Sequence, residues 1–410
     1  MAFQQRRFGG SNNSRPQGGS RGGSFGGGRR GGGSRGPAKK YIHPSKFINK
    51  AIAKAEEVPY VATHKFTDFP FGNQLQHNIA KKGYVSPSVI QDQAIPHIIE
   101  GKDVIGLANT GTGKTAAFLL PVIEHQTGIS QTPSVLIIAP TRELAQQIDD
   151  EFRAFAQGLN LYSALVVGGV SVDRQIRDLK RRPHFIIGTP GRLKDLMNRR
   201  FIRLDNITTL VLDEADRMLD MGFLPDIRAI INEMPKERQT LFFSATITPD
   251  IQAIVNGFLK DPVTIAVRTS ETNEHIEQGV IEARDKNEKV EILTEMLRSK
   301  DYEKVLVFGE TKFGVQRLSD HLDNCGISSV AIHGNKNQSQ RQRALKQFKD
   351  ERVRVMVATD VAARGLDIPN VSHVINFDTP QNYEDYIHRI GRTGRAGASG
   401  KALTFIDIQR

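Results

Sequence analysis

Eleven short apolar runs recur along this chain, each followed by a polar or glycine-rich group and then by a segment with helical periodicity. In the first half they are DVIGLA (103–108), VLIIAP (135–140), SALVVGG (163–169), HFIIGTP (184–190), TLVLDEAD (209–216) and TLFFSAT (240–246). The second half supplies KVLVFGE (304–310), SVAIHG (329–334), RVMVATD (354–360), HVINFD (373–378) and ALTFID (402–407). Runs of Val, Ile and Leu without polar alternation, separated by helices, read as strands of parallel sheets covered on both faces. The chain is therefore expected to be α/β, with two tandem domains, 65–268 and 276–410, joined by the aperiodic polar stretch 269–275.

Each of these runs but the last ends in a distinctive group: NTGTGKT, TRE, GG, TPGR, DEAD, SAT, GET, HG, TD and FD. Ligands of open α/β sheets bind beyond the carboxyl ends of the strands, so the groups of one domain should share one edge. Two such edges suggest two lobes facing one cleft.

Residues 1–37, rich in Gly, Arg and Ser, have almost nothing apolar to bury and are expected to be disordered, with 38–64 transitional and a short helix around Lys46–Glu56. Charge sets this tail apart. Twelve basic residues and no acid precede Glu56, which leaves 44 basic against 45 acidic residues in a chain of net charge +11. The tail reads as an arm that meets nucleic-acid phosphates, with Phe8 and Phe25 as stacking groups, or else as a passive flexible linker. No apolar run reaches the roughly 18 residues that span a bilayer, and the N-terminus lacks the apolar stretch of a secretory signal. Cys325, the one cysteine, can form no internal disulfide, in keeping with a reducing compartment, and a cytoplasmic location is expected.

The segment Ala108, Asn109, Thr110, Gly111, Thr112, Gly113, Lys114, Thr115 follows a strand and opens a helix, the context of a phosphate-binding loop. Backbone N–H groups can wrap a β-phosphate there, Lys114 can reach the β- and γ-phosphates, and the Thr115 hydroxyl can hold Mg²⁺. The usual pattern starts with Gly, and Ala108 stands in its place. Asp213 and Glu214 end an apolar run about a hundred residues later; one carboxylate can join the Mg²⁺ shell and the other can act on the attacking water. A nucleoside triphosphate and Mg²⁺ are the expected cofactors.

Asp213-Glu214-Ala215-Asp216 spells the signature of the DEAD-box RNA helicases, and the chain resembles that family from about Phe66 to Arg410. The resemblance implies two RecA-like domains and ATP-dependent local unwinding of RNA. It implies further that Gln91, in GYVSPSVIQ, reads the adenine edge and that Phe66 stacks on the base. Pro140, Thr141 and Arg142, the pair Gly168-Gly169, and Thr189, Pro190, Gly191 and Arg192 resemble the RNA-backbone motifs of the first domain. Ser244, Ala245 and Thr246 resemble the element that links hydrolysis to strand separation. In the second domain Gln338, Arg341, Thr359 and Arg364 match RNA-contacting or coupling positions, and Asp367 is the implied ribose contact.

HRIGRTGR (388–395) matches the family's last motif in full. Arg392 and Arg395 are implied to reach the triphosphate from the second domain, with His388 and Arg389 orienting them. VFGETK (307–312) is a loose version of its motif and carries no assigned contact. The family usually continues past ALTFIDIQR into a closing helix, which this chain either lacks or has lost by truncation. The expected partner is RNA, single-stranded or duplex, read with little sequence specificity, with ribonucleoprotein or ribosome-assembly proteins as candidates beside it. An RNA-annealing chaperone or ATP-gated clamp acting through the tail, and a DNA translocase on the same scaffold, are the alternatives.

Overall fold

The computed structural model describes residues 42–49, 60–109, 111–129, 133–267, 276–363, 366, 368–394 and 400–408. The expected tail, the connecting stretch 269–275, and Thr110, Arg364, Asp367 and Arg395 lie outside the described residues.

The first lobe is a seven-stranded parallel sheet of β1 (Val104–Leu107), β2 (Val135–Ile138), β3 (Ser163–Val166), β4 (Phe185–Gly188), β5 (Thr209–Leu212), β6 (Gln239–Ser244) and β7 (Val263–Ala266). Around it lie α1 (Asn73–Lys81), α2 (Val89–Ile99), α3 (Lys114–Gln126), α4 (Arg142–Phe155), α5 (Val172–Lys180), α6 (Pro190–Asn198), α7 (Ala215–Asp220), α8 (Leu224–Asn232) and α9 (Pro249–Phe258). The second lobe is a six-stranded parallel sheet of β8 (Ile276–Ala283), β9 (Val305–Phe308), β10 (Ser329–Ile332), β11 (Val355–Ala358), β12 (His373–Asn376) and β13 (Gly400–Asp407). Its helices are α10 (Lys286–Met296), α11 (Lys312–Asn324), α12 (Gln338–Lys349), α13 (Asp360–Ala363) and α14 (Tyr383–Ile390).

Burial on both faces explains the unbroken apolar runs. Val135 and Ile137 of β2 enter one core of the first lobe while Leu136 and Ile138 enter the other. The second sheet repeats the two-residue period, with Val305 and Val307 on one side and Leu306 and Phe308 on the other. Helices begin where the sequence supplies caps: the Thr141 hydroxyl accepts the N–H of Leu144 at 3.2 Å, and Asn337 and Gln340 cap one another reciprocally at the start of α12.

The strand order decides what the sheet edge can do. It runs β3-β4-β2-β5-β6-β1-β7 in the first lobe and β10-β11-β9-β12-β13-β8 in the second. Since β3, β4 and β2 are neighbours, GG, TPGR and TRE emerge side by side. Since β5, β6 and β1 are neighbours, DEAD, SAT and the glycine loop do likewise.

All eleven expected strands are present. Two others, β7 and β8, were not expected; both lie at sheet edges, where alternating exposure breaks up the apolar run. The expected helix around Lys46–Glu56 is absent over 46–49, where a 3₁₀ turn, Pro44–Phe47, gives way to extended backbone at Ile48 and an antiparallel bridge between Asn49 and Gln278. The transitional segment is also held at its other end: Asp92 accepts the Tyr60 hydroxyl and the N–H groups of Thr63 and His64. No helix among the described residues is long and apolar enough to cross a membrane.

Gly188 marks a close approach, for a β-carbon there would lie 2.5 Å from the backbone oxygen of Val166 and 2.9 Å from Leu193. Gly188→Ala is expected to destabilise the first lobe by about 1–3 kcal/mol. Urea unfolding checks this, and an unchanged midpoint would contradict it.

Candidate functional site

The glycine loop is shaped by its own backbone. Gly111 and Gly113 adopt φ of 87° and 97°, a region that a side chain disfavours, and Gly113 delivers the chain straight into α3. Space is tight as well: a β-carbon on Gly113 would collide with the Gln91 amide and lie 3.0 Å from the Ser88 hydroxyl. The Ser88 hydroxyl donates to the Thr112 carbonyl at 2.7 Å, the Gln91 side-chain amide donates to the Gly113 carbonyl at 3.1 Å, and Oε1 of Gln91 accepts the N–H of Ser88 at 2.9 Å. Gln91 thus ties α2 to the loop. Phe66 is buried nearby, edge-on to Tyr84 and Phe69 at 5.8 and 6.3 Å between ring centroids.

Lys114 is buried and donates to the carbonyl of Ala108 at 2.7 Å, folding its ammonium back over the loop. Thr115, Asp213 and Glu214 line the same cleft, with a volume of about 440 Å³, and Leu366 and Arg392 of the second lobe close its far wall. Burial pushes the Asp213 carboxyl up to about 6, Lys114 opposes that shift, and Glu214 and Asp216 add to it. A dry carboxylate among like charges favours a cationic neighbour.

The last acid of DEAD couples β5 to β6. Asp216 accepts the N–H of Ala245 at 3.1 Å, the N–H of Thr246 at 3.2 Å and the Thr246 hydroxyl at 3.3 Å, while the Ser244 hydroxyl donates to the Thr246 carbonyl at 2.8 Å. Glu214 accepts from Arg217 at 2.8 Å, and the other arm of that guanidinium lies 3.3 Å from Nδ1 of His388. Arg217 belongs to none of the motifs read from the sequence. Its one signal there is its place three residues after Glu214, which caps α7 from the left-handed conformation with φ of 51°.

The second lobe presents its last motif from α14. Arg389 holds both oxygens of Asp360 at 2.6 and 2.7 Å, the Asn376 side chain at 3.1 Å and the Asp378 carbonyl at 2.7 Å. Arg392 donates to the Leu366 carbonyl at 2.6 Å. Thr359 accepts the N–H groups of Ala362 and Ala363 at the start of α13.

Across the other half of the first edge, arginines gather. A β-carbon on Gly168 would lie 3.1 Å from the Arg142 guanidinium, and one on Gly169 would collide with it, so the two glycines make its berth. Arg142 is held below the usual guanidinium range, first by burial and then by the charge of Arg341, with Arg192 acting in the same direction and Glu143 against it. Like charges brought together in this way favour a negative partner, and Glu143 supplies one to Arg341. Arg192 donates to the Val170 carbonyl at 3.3 Å, Thr189 and Pro190 are buried at the start of α6, and Gly191 is exposed. Pro140 and Thr141 are buried at the entry to α4. From the second lobe, Arg341 donates to buried Glu143 at 2.6 Å, and Gln338 is buried beside it on α12. Glu143 lies inside the TRE group, yet nothing local in the sequence marks it as a partner for the second lobe.

The chain matches two family models, DEAD/DEAH box helicase over residues 88–254 and helicase conserved C-terminal domain over 288–397. It is 46% identical over 343 residues to the ATP-dependent RNA helicase CshA of Limosilactobacillus reuteri, covering 83% of this chain and 69% of that protein. The DEAD-box ATP-dependent RNA helicase CshA of Bacillus subtilis is 46% identical over 345 residues, covering 84% of this chain and 70% of that protein. The chain thus spans about two thirds of the length of the curated relatives it matches. Among solved structures, S. cerevisiae Dbp5 bound to RNA and ADP BeF3 is 31% identical with a TM-score of 0.75, covering 84% of this chain and 90% of that one. Mss116p bound to ssRNA and AMP-PNP is 31% identical with a TM-score of 0.76, covering 84% and 74%. With both lobes matched and the motifs of both in order along two parallel sheets, the chain belongs to the family of DEAD-box ATP-dependent RNA helicases.

Proposed function

We propose that the chain hydrolyses ATP between its lobes when RNA lies across the arginine-rich half of the same edge, and that closure of the lobes strains and locally opens RNA duplexes. The observation that supports this most is that Arg392 lines one cleft with Lys114, Asp213 and Glu214, although the two sets stand on different lobes. In this reading Gly111 and Gly113 with their neighbours cradle the phosphates and Lys114 neutralises the β- and γ-groups. Gln91 and Phe66 border the adenine, Glu214 acts on the attacking water, and Arg392 meets charge building on the transferred phosphoryl group. An arginine in that role is worth about 10³–10⁵ in rate in other enzymes. Arg395 and the ribose contact Asp367 complete the proposal from outside the described residues.

The donor set suits Mg²⁺. Among the described residues no three His, Cys, Asp or Glu side chains converge as a metal cage, and Mg²⁺, usually held by one or two carboxylates with phosphate oxygens and water, needs none. Thr115 and Asp213 would hold it, and it would supply Lewis-acid neutralisation of the phosphates. Asp213, buried beside Glu214 and Asp216, has the excess negative charge that such a cation relieves.

RNA would be gripped by its phosphates at Arg142, Gly168, Gly169, Thr189, Arg192, Gln338 and Arg341, with Thr359 and Arg364 coupling that grip to the cleft. Contacts to phosphates carry little sequence information, so selectivity falls to the basic tail and to ribonucleoprotein partners in the cytoplasm. If RNA and ATP each favour the closed state, each raises the affinity of the other.

Lys114→Ala and Glu214→Gln are each expected to lower RNA-stimulated ATP hydrolysis roughly a hundredfold or more. A coupled ATPase assay with and without single-stranded RNA checks both, and equal rates in the presence and absence of RNA would overturn the reading. Deleting residues 1–37 is expected to leave hydrolysis intact while flattening the salt dependence of RNA affinity, by about 0.7 in slope for each phosphate the tail no longer neutralises. An unchanged slope in a titration across salt concentrations would make the tail a passive linker.

A further inference from the structure

The short segment that follows the tail has a place in the fold that none of the motifs explains. Phe47 is fully buried, in a pocket of the second lobe made by Ile276 of β8, Ala402 of β13, and Tyr386 and Ile390 of α14. Its ring lies 4.7 Å from that of Tyr386, and Lys46 stands over the Tyr383 ring at 5.2 Å. Two backbone bonds of 3.1 and 2.8 Å between Asn49 and Gln278 fix the segment to the free edge of β8, and the Gln278 side chain accepts the Tyr386 hydroxyl at 2.8 Å. His43 caps the 3₁₀ turn through Ser45. A surface tail does not need a buried aromatic, a cap and a strand bridge.

What Phe47 touches is the back of the helix that carries the last motif. Tyr386 and Ile390 lie one turn apart on one face of α14, and His388, two residues from each, lies about 200° around the helix. That opposite side is the one from which His388 meets Arg217, the partner of Glu214. Arg392 follows α14 directly and lines the nucleotide cleft.

We propose that Phe47 is a positioning residue for hydrolysis: wedged behind α14, it sets the depth at which the helix presents His388 and Arg392 to the first lobe. The segment 42–49 is therefore a working part of the second lobe and not the start of the tail. This rests on the role proposed above for Arg392. Displacement of a catalytic group by about 1 Å can cost up to a hundredfold in rate, so loss of the wedge is large enough to measure.

The test uses the full chain and compares Phe47→Ala, Phe47→Leu and Arg392→Ala with the unaltered protein. Thermal melts report folding, binding of a fluorescent ADP analogue reports the first lobe's pocket, and RNA-stimulated hydrolysis is resolved into kcat and KM for ATP. Phe47→Ala is expected to lower kcat about tenfold or more, with ADP affinity within about twofold of the unaltered value because ADP lacks the phosphate that Arg392 would face. Phe47→Leu, which refills much of the pocket, is expected to recover most of the rate. Unchanged kcat in a folded Phe47→Ala protein overturns the proposal, as does a fall in ADP affinity that matches the fall in kcat. If the alanine variant fails to fold, Phe47→Val, which also leaves the space behind α14 underfilled, takes its place: kcat reduced at constant ADP affinity supports the wedge, and unchanged kcat overturns it. Should Arg392→Ala keep full activity, the reading of the arginine fails; should it lose activity while both Phe47 variants keep theirs, only the wedge fails.

Discussion

Glu214, Arg217 and His388 form a short line of contacts from the centre of the first lobe to the edge of the second, and the behaviour of the cleft follows from it. Glu214 and Arg217 are both buried, so neither charge is satisfied by water, and the guanidinium bridges the carboxylate at 2.8 Å and the imidazole at 3.3 Å. A buried charge left without its partner is costly, which makes the approach of the second lobe part of the electrostatic balance of the DEAD strand. Arg341 and Glu143 make a second crossing of the same kind at 2.6 Å, on the half of the edge where the arginines gather. The two crossings sit on the two halves of one sheet edge, so any change at one half is felt by the lobe that also touches the other.

Sheet topology makes that division possible. A parallel sheet buried on both faces leaves its carboxyl edge as the natural place for polar chemistry. In the first lobe the order β3-β4-β2 followed by β5-β6-β1 sorts that edge into an arginine-rich side and an acid-and-glycine side. Asp216 joins β5 to the loop after β6 through three hydrogen bonds, so a shift in the acid-bearing loop carries the SAT loop with it. Arg389 does the corresponding work in the second lobe, joining α14 to α13 and to the end of β12.

How much of this is legible in the sequence depends on what each residue contacts. Strands buried on both faces write themselves into the chain as apolar runs, and the edge strands β3 and β10 are legible too because SALV and SVAI stay largely apolar. The two edge strands with broken patterns are not: β8 reads IEQGVIEA, with Glu277 and Glu282 facing solvent and a glycine in the middle, and β7 reads VTIA, with Thr264 and Ala266 exposed. Glycine loops and paired acids are legible because their backbone or charge requirement admits few substitutes. Pairings between distant segments are not, which is why Arg217, Glu143 and Phe47 emerge only in three dimensions. Phe47 in particular sits among lysines just past a glycine- and arginine-rich stretch, and nothing local distinguishes a buried phenylalanine there from an exposed one.

In the proposed mechanism one nucleotide pocket is completed by two lobes while RNA occupies the remainder of the shared edge. The most direct measurement is a crystal structure of the full chain with a non-hydrolysable ATP analogue and a single-stranded oligoribonucleotide. The Arg392 guanidinium is expected within about 3 Å of a γ-phosphate oxygen, with the RNA backbone running past Arg142 and Arg192. A triphosphate held by the first lobe alone, with Arg392 still bonded to the Leu366 carbonyl and the RNA bound elsewhere, would contradict it.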